Sequence, residues 1–172
     1  MPIEGWPVDM AGAIALASQK DRYHFQDWAV IQVGGRPVGG ERKKGADRGV
    51  DGVIPFIDGT AGPKRGVISV KSGNTGAKDV RDLAGVVARD DDVAFGVFVC
   101  LNSPAKPMID EALSHGVWVS DWDGQTYPVI QILCAQDLID HREVKMPQGT
   151  RTAVFAQAAR EKRREGVQGR LA

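Results

Sequence analysis

Asp51, Ser69 and Lys71 stand in two short stretches, GADRGVDGVIPF and RGVISVKSG. The first places an acid at the head of an apolar, strand-like run. The second places a lysine two residues after Ser69 on another such run. Side chains alternate faces along a strand, so Ser69 and Lys71 point the same way. If the two runs pair as a hairpin, Asp51 lies beside them. An acid and a lysine held together on a sheet suit metal-assisted phosphodiester cleavage. The carboxylate holds a divalent cation, and the ammonium positions or activates the attacking water.

Other chemistries find less support. His24, His115 and His141 are scattered without acid or ligand spacing, so neither metal binding nor triad chemistry is favoured. Ser69 and Lys71 could be read as a hydrolase dyad, but no glycine elbow surrounds them and a strand is the wrong place for one. No phosphate-binding glycine loop follows a strand and opens a helix. Cys100 and Cys134 lie far apart in apolar runs and read as buried small hydrophobes of a reducing compartment.

The elements that must position the acid and lysine are legible in outline. Asp9 can cap a first helix carrying Met10, Ala13, Ile14 and Ala17 on one face. A second helix begins near Asp21, carries Phe25, Trp28, Ala29 and Val33, and stops at Gly34 and Gly35. Arg36 to Gly49 is basic and glycine-rich and reads as a loop. Gly49 to Ile57 reads as a strand, with Pro55 pointing to an edge or a bulge. Val67 to Lys71 follows, with Ile68 and Val70 toward the core and Val67, Ser69 and Lys71 on the other face. Ala77 to Arg89 is the clearest helix, since Val80, Leu83, Ala84 and Val87 share one face. Val93 to Leu101 is a nearly unbroken apolar run, as a central strand requires. Strand, helix, strand in that order implies a right-handed parallel crossover. A short helix from Pro107 to His115, strands at Val117–Val119 and Val129–Leu133 with a turn at 121–126, and a helix at 135–140 complete the pattern.

The 172 residues fit one domain, expected over 1–150, followed by a basic tail over 151–172. A hydrophobic share of 42% against 26% charged residues excludes a disordered chain. The formal net charge is zero, so any attraction to nucleic acid must come from local patches such as Arg42, Lys43, Lys44 and Arg48, or Lys64 and Arg65, or Lys71, Lys78 and Arg81. Acids gather elsewhere, at Asp90–Asp92 and at Asp121 and Asp123. The tail also reads as a solvated helix, with phosphate binding as the alternative. No apolar run reaches membrane length, so no membrane partner is expected and the cytoplasm is the expected location.

The order helix, acid-bearing strand, lysine-bearing strand, helix, central strand resembles the PD-(D/E)xK nuclease superfamily, and within it the Mrr-like restriction endonuclease domain. GADRGVDG and SVK carry the likeness, and KDVRDLAGVV and AFGVFVCL continue it. The span from Tyr23 to about Leu133 is similar to a domain fused behind bacterial DNA methyltransferases of the amino-methylating kind. The resemblance implies an α/β, restriction-endonuclease-like fold: a central mixed sheet flanked by helices, with two N-terminal helices. It implies a DNA endonuclease of restriction–modification or phage defence, using Mg²⁺ with Mn²⁺ as substitute. A methyltransferase partner, fused or separate, and a homodimer are expected with it. Asp51 takes the place of the metal-binding aspartate and Lys71 that of the catalytic lysine. Ser69 takes the place of the second acid, often glutamine in the Mrr-like branch. Gln26 takes the place of a helical glutamate. The Val70 carbonyl would complete the metal shell, and Arg42, Lys43, Lys44 and Lys78 would meet DNA phosphates.

Two carboxylate positions of the pattern, Ser69 and Gln26, are thus neutral. Asp27, or Asp47 in the glycine-rich stretch, could supply a displaced acid. The alternative to an enzyme is a catalytically inactive DNA-binding or interaction module on the same fold, associated with a methyltransferase. Asp51 could instead satisfy loop amides, and Lys71 and Gln26 could be surface residues.

Overall fold

The computed structural model describes residues 5–18, 23–38 and 49–148. The basic cluster Arg42, Lys43, Lys44 and Arg48, Asp47, and the tail from Arg151 onward lie outside the described residues.

Helix α1 (Met10–Ala17) starts where Asp9 accepts the amide of Gly12 at 2.8 Å. Helix α2 (Tyr23–Gln32) ends at Gly34, whose φ of +79° suits glycine, and the Gly34 and Gly35 amides return to Ile31 and Val30. A two-residue strand β1 (Arg36–Pro37) follows, in what the glycine-rich pattern presents as loop. Strands β2 (Gly52–Ile57) and β3 (Pro63–Lys71) form the expected antiparallel hairpin, β3 starting earlier than its apolar core suggests. Helix α3 (Ala77–Arg89) crosses to β4 (Val93–Cys100), which runs parallel to β3. Helix α4 (Lys106–Ser114), strands β5 (Val117–Val119), β6 (Thr126–Pro128) and β7 (Ile130–Cys134), and helix α5 (Ala135–Ile139) complete the order.

The main sheet runs β1-β2-β3-β4-β7 and is mixed: β1, β2 and β3 are antiparallel neighbours, whereas β3, β4 and β7 are parallel. The run at 129–133 therefore does not turn back on β5. The turn after β5 closes instead on β6, and β7 goes on to the main sheet. Pro55 needs no bulge. β1 covers β2 only at Val53 and Gly52, so beyond them Pro55 stands on an open edge where its missing N–H costs nothing.

Both faces of the sheet are covered. Ile54, Phe56, Ile68, Val70, Val97 and Val99 pack beneath α1, α2 and α5. Val67, Phe98, Cys100 and Ile130 pack beneath α3 and α4. The Val67 face is thus a second core and not a solvent face. Among the described residues no helix is long and apolar enough to cross a membrane.

Glycine at 52 is required by this packing. A Cβ there would lie 2.5 Å from Val30 Cγ1 and 3.1 Å from the Arg36 carbonyl, with Val30 wholly buried. Gly52→Ala is expected to lower stability by about 1–3 kcal/mol through overpacking, read as a lower urea midpoint. An unchanged midpoint would show that α2 can move away from β2.

Candidate active site

The hairpin brings the predicted acid and lysine together. Gly52 is the register partner of Ile68, so Asp51 lies one step further along, opposite the Ser69–Lys71 end of β3. The Asp51 amide donates to the Ile68 carbonyl at 2.7 Å. The Asp51 Oδ2 accepts the Val70 amide, also at 2.7 Å. A side-chain carboxylate thus takes the ladder position that the backbone of β2 would have filled. It is held against the amide immediately before Lys71.

The strand geometry adds a second oxygen. In an antiparallel ladder the N–H and C=O of one residue point to the same edge. Ile68 C=O and Val70 N–H both point to Asp51, so the Val70 carbonyl is aimed along that edge as well. A carboxylate and a main-chain carbonyl are hard oxygen donors of the kind Mg²⁺ takes, with water and phosphate oxygens filling the other positions. Among the described residues no group of three or more His, Cys, Asp or Glu could hold a metal. The residues fit a lightly held ion that substrate helps to bind, and not an all-protein cage.

Lys71 is exposed at the end of β3. Ser69 is buried, only 5% exposed, between β2 and β4 on the α3 side of the sheet. Gln26 and Asp27 are half-buried on α2. The packed residues of that helix, Phe25, Trp28, Ala29 and Val30, belong to the core on the other face from Ser69. Lys78 lies in the first turn of α3, exposed and paired with Asp82 at 2.7 Å. Helices α3, α4 and α5 all begin at the edge where the parallel strands end, the edge at which open α/β sheets bind ligands.

The opposite end of the sheet uses its charges for structure. Arg65 pairs with Asp90 and Asp92, and Lys64 donates to the Asp91 carbonyl, which accounts for both the basic pair and the acidic run. Buried Asp58 accepts from the Ser120 hydroxyl at 2.7 Å and from the Trp122 amide. Asp121 accepts from the Thr60 hydroxyl and the Thr60 and Ala61 amides, and these bonds hold its carboxyl below the usual range. A cavity of about 490 Å³ lies here, lined by Asp58, Thr60, Lys64, Trp118 and Asp121 among others. Its acids tie the β5–β6 hairpin to the β2–β3 turn, so the cavity is not where the candidate chemistry sits. The expectation that His115 has no acid at useful spacing is corrected: Glu111, four residues before it, lies at 3.2 Å and also takes the Arg81 guanidinium.

One family model, described as restriction endonuclease (Mrr_cat), matches residues 38–127, more than half of the 172 residues and including Asp51, Ser69 and Lys71. No curated protein and no solved structure matches the chain.

Proposed function

Because the chain belongs to the Mrr_cat restriction endonuclease family, we propose that it is a metal-dependent endodeoxyribonuclease with its active site at the Asp51–Lys71 end of the β2–β3 hairpin. The observation that carries this reading is the 2.7 Å bond from the Val70 amide to Asp51. It holds the acid against the main-chain amide immediately before Lys71. Asp51 and the Val70 carbonyl would hold Mg²⁺ or Mn²⁺, which when bound polarises the scissile phosphate and lowers the pKa of water. Lys71 stabilises the charge that develops on the phosphate oxygens and orients the attacking water.

In this reading Arg42, Lys43, Lys44 and Lys78 would neutralise phosphates flanking the cleaved bond, so binding weakens steeply with salt. Service in restriction would pair the activity with a DNA methyltransferase. Cutting both strands would take two copies of the site.

A second reading is an inactive DNA-binding module. The burial of neutral Ser69 at the second acid's place and the packing of the Gln26 helix on the other face favour it. One assay separates the two. Supercoiled plasmid, methylated and unmethylated, is incubated with the protein in Mg²⁺, Mn²⁺ or EDTA. Cleavage with either metal and none in EDTA is the expected result. DNA binding at low salt with no cleavage in any metal would establish the inactive module instead.

A further inference from the structure

Cys100 and Cys134 end adjacent parallel strands as direct register partners. Both side chains belong to the core beneath α3 and α4, so they lie on one face of the sheet. Neighbouring strands run about 4.8 Å apart, within the window of roughly 4.4–6.8 Å between Cα atoms that a disulfide spans. Both cysteines are free thiols. The Cys100 sulfur lies 3.1 Å from the Asn102 carbonyl and 3.8 Å from that of Leu133, the residue before Cys134, so it leans toward β7. On its other side Cys100 is the register partner of Lys71. A single row across the sheet therefore reads Lys71, Cys100, Cys134.

We infer that Cys100 and Cys134 form an oxidisable dithiol whose closure into a disulfide displaces the Lys71 end of the sheet. Its effect on cleavage rests on the nuclease reading; formation of the bond does not.

Access decides the order of events. Burial, reinforced by Cys134 and Asp137, pushes the Cys100 thiol up to about 12, so it is not the first sulfur to react with an oxidant. Cys134 closes β7, an edge strand of the main sheet, and is the sulfur reached first when that strand end opens locally. The oxidant is a peroxide. The Cys134 thiolate attacks one peroxide oxygen and the O–O bond breaks. A sulfenic acid forms, and the departing hydroxide takes a proton to become water. The Cys100 sulfur then attacks the sulfenic sulfur. The S–S bond forms, the S–O bond breaks, and hydroxide leaves with the Cys100 proton as a second water. Two thiols are oxidised and one peroxide is reduced to two waters. The bridge needs Cβ atoms about 3.5–4.5 Å apart, a little closer than the roughly 4.8 Å between unlinked neighbouring strands, so closure draws the β4 and β7 ends together.

The test uses the full chain, reduced, treated with hydrogen peroxide, alkylated under denaturing conditions and mapped by mass spectrometry. A Cys100–Cys134 crosslinked peptide, two hydrogens lighter than the pair of thiols and removed by dithiothreitol, is expected. Cys134→Ala, which keeps the site apolar, should leave Cys100 fully alkylatable. Full alkylation of both cysteines in the oxidised wild type, or sulfinic acid without a crosslink, overturns the inference. Cleavage should fall about tenfold or more on oxidation and recover with dithiothreitol, and Cys134→Ala should be insensitive. A crosslink with unchanged cleavage overturns the displacement. A crosslink in a protein that cleaves in neither state supports the dithiol and sinks the nuclease reading.

Discussion

Asp51→Asn is expected to cut the rate of plasmid cleavage by about 100-fold or more while leaving the urea midpoint close to wild type. The two halves of this expectation have separate causes. Asparagine has the shape of aspartate and keeps an oxygen that can accept the Val70 amide, now bonded to the carboxylate at 2.7 Å. The end of the hairpin should therefore stay closed. What asparagine lacks is the charge that, on the proposed mechanism, binds a hard cation, so the loss should fall on chemistry. Asp51→Ala removes charge and acceptor together. The Val70 amide, on a residue only 2% exposed, then loses its partner, at a cost of about 1–3 kcal/mol. The pair discriminates between the two roles open to this residue. If Asp51 serves only to complete the β3 ladder, asparagine will cleave like wild type and only alanine will suffer. Initial rates in Mg²⁺, read beside urea unfolding of all three proteins, decide the matter.

The parts of the fold that were legible in the sequence are those where one physical signal dominates. In α3, Val80, Leu83, Ala84 and Val87 repeat at helical spacing, and all four are buried. The run at 93–100 is apolar at nearly every position because β4 is covered on both faces. The hairpin that carries the candidate site was legible for the same reason: each strand ends in glycine-rich turns. Less legible was anything decided by long-range pairing. Strand β1 consists of Arg36 and Pro37, which carry no strand signal and pair only because β2 offers its edge. The covering of Val67 by α3 depends on a helix folding back over the sheet. The parting of β6 and β7 turns on Pro128 and Val129, where the chain leaves one sheet for the other, and local alternation is silent on which sheet receives it.

The site divides along the same line. Asp51 and Lys71 could be joined from sequence because pairing the two runs as a hairpin leaves little freedom. The bond to the Val70 amide could not, since it replaces a backbone bond with a side chain. Gln26 was assigned by resemblance to a helix position. Where that helix docks depends on Val30 against Gly52 and on Ile68 against Gly35, contacts between segments far apart in the chain. The electrostatics of the opposite end were equally hidden. Arg65 and Asp90–Asp92 are separate clusters in the sequence and one ion-pair network in the fold.

Lys71→Ala should abolish cleavage, by about 100- to 1,000-fold, and leave DNA affinity near wild type. The side chain is exposed at the end of β3 and supports no core packing, so the variant should fold normally. Affinity should hold because it is summed over many phosphate contacts, of which one ammonium is a small part. Cleavage should fail because, on the proposed mechanism, the lysine acts on the reacting phosphate alone, where charge grows only in the transition state. Lys71→Arg sharpens the argument. Arginine restores the positive charge but replaces a compact ammonium with a broad, planar fork that does not readily give up a proton. Near-complete rescue would assign Lys71 a purely electrostatic role. Failure of both variants with DNA still bound would assign it the orientation or deprotonation of the attacking water. Parallel losses of binding and cleavage in Lys71→Ala would make it a phosphate anchor. Cleavage retained in both would remove Lys71 from the active site, leaving Asp51 and the Val70 carbonyl with no partner to act on the phosphate.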